Sequence, residues 1–331
     1  SNEFGLTYKE IENDGFFIDK KINTLNQFDS PLGICKSMGN TIIEFSKALE
    51  DLKPDLLLIL GDRYEIFSVA SASMIFGIPI AHCHGGESTE GLIDEPIRHS
   101  ITKMSHIHFC STEKYKKRII QLGEHPKNIF NVGALGIENI NKIKLLSKTQ
   151  LSNSLQFNII DEEYFLVTFH PVTLEKNTSE NQINELICSL EKFKKFKIIF
   201  TKANSDTYGK IINKKIDKFT RKFPDRSISF KSLGQLRYLS ALKYSSCVIG
   251  NSSSGIIEAP SFKIPTVNIG DRQRGRIFSN SVINCKENSY DIKASITKAL
   301  SSKFKKEKLL NLENPYGSKN SSNKIIRILS D

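Results

Sequence analysis

The sequence predicts an α/β protein made of two doubly wound parallel-sheet domains. Three observations carry that reading. The chain has 331 residues, room for two domains at roughly 150 residues each. Short apolar runs alternate with helical patterns along its length. Several of those runs stop at a glycine or a polar cluster, as strands do where a parallel sheet meets its ligands.

The elements follow in order. A helix is expected over 37–52, with Ile42, Ile43, Phe45, Ala48 and Leu49 on one stripe. Leu56–Leu60 is a continuous apolar run ending in Gly61 and reads as a buried strand. Helices at 65–76, 95–103 and 112–122 then alternate with strands at 78–81, 106–110 and 129–132, and Thr112 serves as an N-cap. Residues 138–160, rich in Asn, Ser and Lys, read as an interdomain crossing. A second alternation has strands at 164–169, 197–201, 247–250 and 266–269. Its helices are at 180–193, 206–222, 236–243 and 254–259. The domains expected are 1–150 and 151–315, with a helix in 316–331 that returns to the first domain.

Composition narrows the function. With 39% hydrophobic and 25% charged residues, the chain is neither a disordered polymer nor a fibrous repeat. Six scattered cysteines suit reduced thiols rather than a disulfide framework. The apolar runs are strand-sized and no signal peptide is visible, so a cytoplasmic protein with no membrane partner is expected. Net charge is +11 and uneven. Residues 1–150 carry 17 Lys+Arg against 19 Asp+Glu, and residues 151–331 carry 30 against 17. The basic half reads either as solvated surface lysine or as the holder of an anionic ligand. No basic block with interleaved aromatics occurs, so nucleic acid is not expected as a partner.

Four strand ends concentrate polar chemistry. Asp62 and Arg63 follow the first strand; they suit acid–base work and phosphate binding, or an internal ion pair. His82-Cys83-His84-Gly85-Gly86-Glu87 follows the second and runs on to Asp94, Arg98 and His99. The H-x-H pair with Glu87 and Asp94 raises a metal site, but no metal is the favoured reading, and Gly85-Gly86 suits close backbone approach to a ligand. His99, His106 and His108 read as structural. His170-Pro171 closes a third strand. Gly250-Asn251-Ser252-Ser253-Ser254-Gly255, with Glu258 a turn later, closes the fourth. That turn reads as an anion site at a helix N-terminus, or as a plain serine N-cap. It is neither a Walker loop nor G-x-G-x-x-G, so no dinucleotide cofactor is expected. No Gly-x-Ser-x-Gly elbow or C-x-x-C pair occurs.

Taken in order, GDRYEIFSVA, HCHGGE, IDEPIRHSITKMSHIHF, STEKYKKRIIQLGE, FNVGALGIENI, FHPVT, GNSSSGIIEAP and PTVNIGDRQRGR resemble the hydrolysing UDP-N-acetylglucosamine 2-epimerases. The resemblance runs from about Phe4 to Arg276. It implies two Rossmann-like domains in a GT-B arrangement, with a sugar nucleotide in the interdomain cleft and no cofactor. It also implies elimination of UDP to 2-acetamidoglucal, then hydration to N-acetylmannosamine for sialic acid synthesis. By motif position Asp62, His84, Glu87, Asp94 and His170 would be catalytic. Arg63, Asn204, Ser252, Ser253, Ser254, Gly255, Glu258 and Arg272 would bind UDP-GlcNAc. A homo-oligomer, dimer or tetramer, is expected.

Two departures stand out. Some members carry Glu at the position of His84. The family's opening strand and Gly-Thr-Arg-Ala type loop precede anything present here, so the chain reads as truncated. The alternatives are the related epimerase for a 2,4-diacetamido-trideoxy sugar nucleotide, a GT-B glycosyltransferase, and a non-catalytic sugar-nucleotide binder.

Overall fold

The structure is a computed structural model describing residues 6, 8–24, 30–90, 92–172, 178–203, 208–317 and 320–330. It divides into two compact units, Ser1–Glu138 with Tyr316–Asp331, and Asn139–Pro315.

In the first unit, α1 (Tyr8–Asn13) and α2 (Pro31–Leu52) lead into β1 (Leu57–Leu60), α3 (Tyr64–Ile75), β2 (Ile80–Cys83) and α4 (Asp94–Met104). β3 (Ile107–Cys110), α5 (Glu113–Gln121) and β4 (Ile129–Asn131) follow, then α6 (Leu135–Lys142), inside which the boundary falls. The four strands are parallel in the order β1-β2-β3-β4. Thr112 caps α5 by accepting the Tyr115 N–H at 3.3 Å.

One expectation for this sheet fails. Leu56–Leu60 reads as buried throughout, yet β1 is an edge strand that pairs only with β2 among the described residues. Ile59 packs against Ala70, Ile80 and Ile101, whereas Leu58 and Leu60 on the other face are 51% and 56% exposed.

The second unit holds α7 (Lys148–Leu155), β5 (Tyr164–Thr168), α8 (Ser179–Glu191), β6 (Lys197–Thr201), α9 (Gly209–Lys222), β7 (Ser227–Phe230) and α10 (Gly234–Tyr244). β8 (Cys247–Gly250), α11 (Ser254–Ile257), β9 (Thr266–Ile269), β10 (Val282–Cys285), α12 (Ser289–Leu300) and α13 (Ser302–Phe304) complete it. Its six parallel strands run β10-β9-β8-β5-β6-β7, the Rossmann order, so the topological switch lies between β5 and β8. β5 and β8 are fully buried and β8 pairs on both edges, which is why their sequences are almost purely apolar.

The segment 138–160, read as the interdomain crossing, begins where the first unit ends and is partly helical. It forms α7, whose capping box joins Ser147 to Gln150 and whose Leu151 and Leu155 enter the second core. The chain ends in α14 (Ser321–Ser330) within the first unit. There Ile325 joins Ala81, Phe109 and Val132, and the Tyr316 and Tyr115 hydroxyls lie 2.9 Å apart.

Candidate active site

In the first unit the polar residues gather at the C-terminal ends of β1, β2 and β3. Register fixes this: Leu60 pairs with Cys83, and Cys83 with Phe109, so Asp62, His84 and Ser111 emerge from one end of the sheet. Gly61 turns the chain out of β1, and its carbonyl accepts His82 Nε2–H at 2.8 Å. Burial drives the His82 imidazole down to about 4, so it is neutral near pH 7 and structural.

Asp62 has a buried cation, but it is Arg98 of α4 rather than Arg63. Arg98, 1% exposed, donates from Nε to Asp62 Oδ2 at 3.0 Å and also from Nη2. The same guanidinium reaches the Glu87 carbonyl at 2.9 Å, Glu95 Oε2 at 3.0 Å and Thr89 Oγ1 at 2.9 Å. Arg63 instead donates to Glu65 at 3.2 Å. Glu95, which sequence reasoning passed over, completes the knot. Burial pushes its carboxyl up, but bonds from His99, the Thr89 N–H and Ser88, with the Arg98 charge, outweigh that and hold it at about 2. Asp94 opens α4 beside it, half-buried.

His84 lies beyond the end of β2 with a left-handed backbone, φ 66°. The strand geometry that would point both histidines of an H-x-H pair to one face therefore stops short of His84. Its Nδ1 is 2.8 Å from Glu87 Oε1, and Glu87 is buried. Ser111 Oγ donates to the same oxygen at 3.0 Å. Among the described residues no group of three or more His, Cys, Asp and Glu can hold a metal ion. Packing accounts for glycine at Gly86. Gly86 has φ 75°, and a Cβ there would sit 2.5 Å from the Tyr115 carbonyl oxygen. His99 contacts Glu95 at 3.2 Å, His106 accepts the Ile80 N–H at 3.2 Å, and His108 is buried, with burial lowering its pKa.

In the second unit the polar residues lie at the β5/β8 switch. Register pairs Thr168 with Gly250, which sets His170 beside Asn251. Gly250 has φ 134°, and a Cβ there would meet the Thr168 carbonyl oxygen at 1.9 Å; only glycine fits. The Asn251 side chain, 1% exposed, accepts the His170 N–H at 2.7 Å and donates to the His170 carbonyl at 2.8 Å. The Asn251 carbonyl accepts from Arg272 Nη1 at 3.2 Å and Gln273 Nε2 at 2.9 Å. Asn251 is thus the hub that holds His170 and Arg272, with Gln273 on the same carbonyl. The buried Asn between Gly250 and the serines was the sequence signal for it.

Ser252, Ser253 and Ser254 are half-buried at the start of α11. Ser253 makes no side-chain cap bond, whereas Ser252 Oγ accepts the Ser254 N–H at 3.4 Å, as the serine-cap alternative requires. Ser254 Oγ accepts from Tyr238 at 2.7 Å, and burial, then the Glu258 charge, raises the Tyr238 phenol. Gly255 is set by packing, since a Cβ would lie 2.7 Å from Thr266 Cγ2. Asn204 lies outside the described residues.

A Rossmann-ordered sheet with its polar loops at the switch point, in a chain with a second parallel sheet, defines a two-unit α/β protein of the Rossmann-like class. The chain belongs to the UDP-N-acetylglucosamine 2-epimerase family, whose sequence profile matches residues 1–330. It is 47% identical over 291 residues to the GDP/UDP-N,N'-diacetylbacillosamine 2-epimerase (hydrolyzing) of Campylobacter jejuni, covering 88% of this chain and 75% of that protein. It is 41% identical over 331 residues to the polysialic acid biosynthesis protein P7 of Escherichia coli, covering 100% and 83%. The crystal structure of the Neisseria meningitidis UDP-GlcNAc 2-epimerase bound to UDP-GlcNAc shares the fold, with TM-score 0.84 at 21% identity over 99% of this chain and 89% of that one. No helix among the described residues is long and apolar enough to cross a membrane.

Proposed function

We propose that this protein is a hydrolysing 2-epimerase acting on a nucleoside-diphosphate 2,4-diacetamido-trideoxy sugar of the N,N'-diacetylbacillosamine type. The observation that carries it is the 47% identity to the Campylobacter enzyme over 88% of the chain. A Legionella pneumophila UDP-N,N'-diacetylbacillosamine 2-epimerase (hydrolyzing), 34% identical over 98% of the chain and covering 84% of that protein, supports it. This reverses the priority of the sequence reading, which put UDP-GlcNAc and sialic acid synthesis first. That second reading is supported by the 41% identity to the Escherichia coli polysialic acid biosynthesis protein and by 30% identity, over 90% of the chain, to a Neisseria meningitidis UDP-N-acetylglucosamine 2-epimerase.

In this reading the second unit holds the nucleoside diphosphate. Ser252 and Ser253 bind phosphate, Glu258 the ribose, and Arg272 the diphosphate, with Arg63, Ser254, Gly255 and Asn204 as further binding residues. The guanidinium suits that task because its fork matches phosphate oxygens. The diphosphate departs as the sugar loses its C2 proton, and water then adds across the double bond. Asp62, His84, Glu87, Asp94 and His170 are the proposed acid–base groups. The switch-point geometry around His170 and Arg272 supports the nucleotide half of this assignment.

The test is incubation with UDP-N,N'-diacetylbacillosamine, its GDP counterpart and UDP-GlcNAc, with no acceptor added. Free nucleoside diphosphate is expected fastest from a diacetamido substrate. Faster release from UDP-GlcNAc would restore the other reading, and no release from any of the three would remove both.

A further inference from the structure

Burial separates two of the proposed acid–base groups. The Glu87 side chain is 3% exposed, whereas the His84 ring is 19% exposed. We propose that Glu87 is a positioning residue that fixes the tautomer of His84, and that His84 Nε2 is the atom that exchanges a proton with the sugar. The inference rests on the epimerase reading and deepens it.

A carboxylate only accepts hydrogen bonds. With Glu87 Oε1 2.8 Å from His84 Nδ1, the proton between them belongs to Nδ1, and the lone pair of the neutral ring is on Nε2. Ser111 Oγ donates to the same Glu87 oxygen at 3.0 Å, and Ser111 is itself buried, so the carboxylate is held from behind. His84 adopts a left-handed backbone rare for a residue with a side chain, secured by its N–H on the Phe109 carbonyl at 2.8 Å. Such conformations cluster at functional sites, where the surroundings impose them. When a proton leaves the sugar, the C–H electron pair stays on the sugar and an N–H bond forms at Nε2. The ring becomes an imidazolium facing the Glu87 carboxylate. Serine hydroxyl, carboxylate and imidazole thus form a relay of position, in which only the imidazole meets substrate.

The first test needs no turnover. Full-length protein labelled with [15N]histidine gives a long-range proton–nitrogen spectrum, in which the His84 ring is assigned by its loss in His84→Gln. In the neutral ring, Nδ1 should carry the proton and Nε2 be bare; the opposite tautomer overturns the proposal whether or not the epimerase reading stands. The second test is a double-mutant cycle on turnover. His84→Gln and Glu87→Gln should each lower kcat by about 10²–10⁴-fold, with UDP affinity within twofold of wild type. The double variant should be no slower than His84→Gln alone, because Glu87 acts through the ring. Losses that multiply would mean that Glu87 acts independently of His84. Absence of turnover in the wild type counts against the epimerase reading and leaves the spectrum to decide this one.

Discussion

Arg98→Met tests how the first unit's polar end is held together. Methionine keeps much of the side chain's length and loses the guanidinium. Arg98 is 1% exposed and bonds Asp62 twice, Glu95, Thr89 and the Glu87 carbonyl. Removing one partner of a buried pair costs about 3–5 kcal/mol, because the remaining charge is left uncompensated. Asp62 and Glu95 are 24% and 23% exposed and regain some water, so the lower end applies, about 3 kcal/mol. That is a large share of the roughly 5–15 kcal/mol stabilising a domain. Urea unfolding followed by far-ultraviolet circular dichroism is the assay, with the midpoint falling and the slope unchanged. Arg98→Lys should recover less than half of the loss, since an ammonium cannot grip two carboxylates and a carbonyl in one plane. A loss under about 1 kcal/mol for Arg98→Met would refute the reasoning.

Gly255→Ala should destabilise by about 1–3 kcal/mol through overpacking, and Thr266→Ser in the same chain should restore most of it. Serine removes Cγ2 while keeping the hydroxyl's 2.8 Å bond to the Gly255 carbonyl, and thermal melting of the single and double variants checks this. Stability should fall in acid in two stages. His82 titrates near its ordinary 6.5 when unfolded and about 4 when folded, so its contribution is complete above 6.5 and lost as the pH drops through 4. Glu95 moves from 4.5 to about 2, so its share is complete above 4.5 and lost toward 2. A urea midpoint that stays level between pH 7 and 4 would contradict the His82 assignment. Asn251→Ala frees the His170 main chain and should weaken UDP binding about tenfold, roughly 1.4 kcal/mol, by calorimetric titration. Unchanged affinity would detach His170 from the nucleotide.

The central strands were legible because burial on both faces demands unbroken apolar sequence. Thr168, Gly250 and Ile269 end their strands within a residue of where the pattern stops. β7 and β10 were missed for the converse reason. As edge strands they tolerate Ser227, Ser229 and Asn284, which dilute the signal. The strand ends that carry the candidate site were also visible as polar clusters after apolar runs. Pairing was not, because it depends on tertiary approach. Nothing local tells Asp62 that its cation is Arg98 rather than the adjacent Arg63, nor that Glu87 turns inward to His84 and Ser111. Asn251 was read as part of a serine turn, although its amide clamps a residue on another strand's end.

The most direct test of the epimerase reading is the product formed in deuterium oxide from UDP-N,N'-diacetylbacillosamine without an acceptor, followed by proton NMR. Elimination and hydration predict one free sugar per UDP, inverted at C2 and carrying deuterium there. A released sugar that keeps its original configuration and its C2 proton would mean simple hydrolysis and contradict the account.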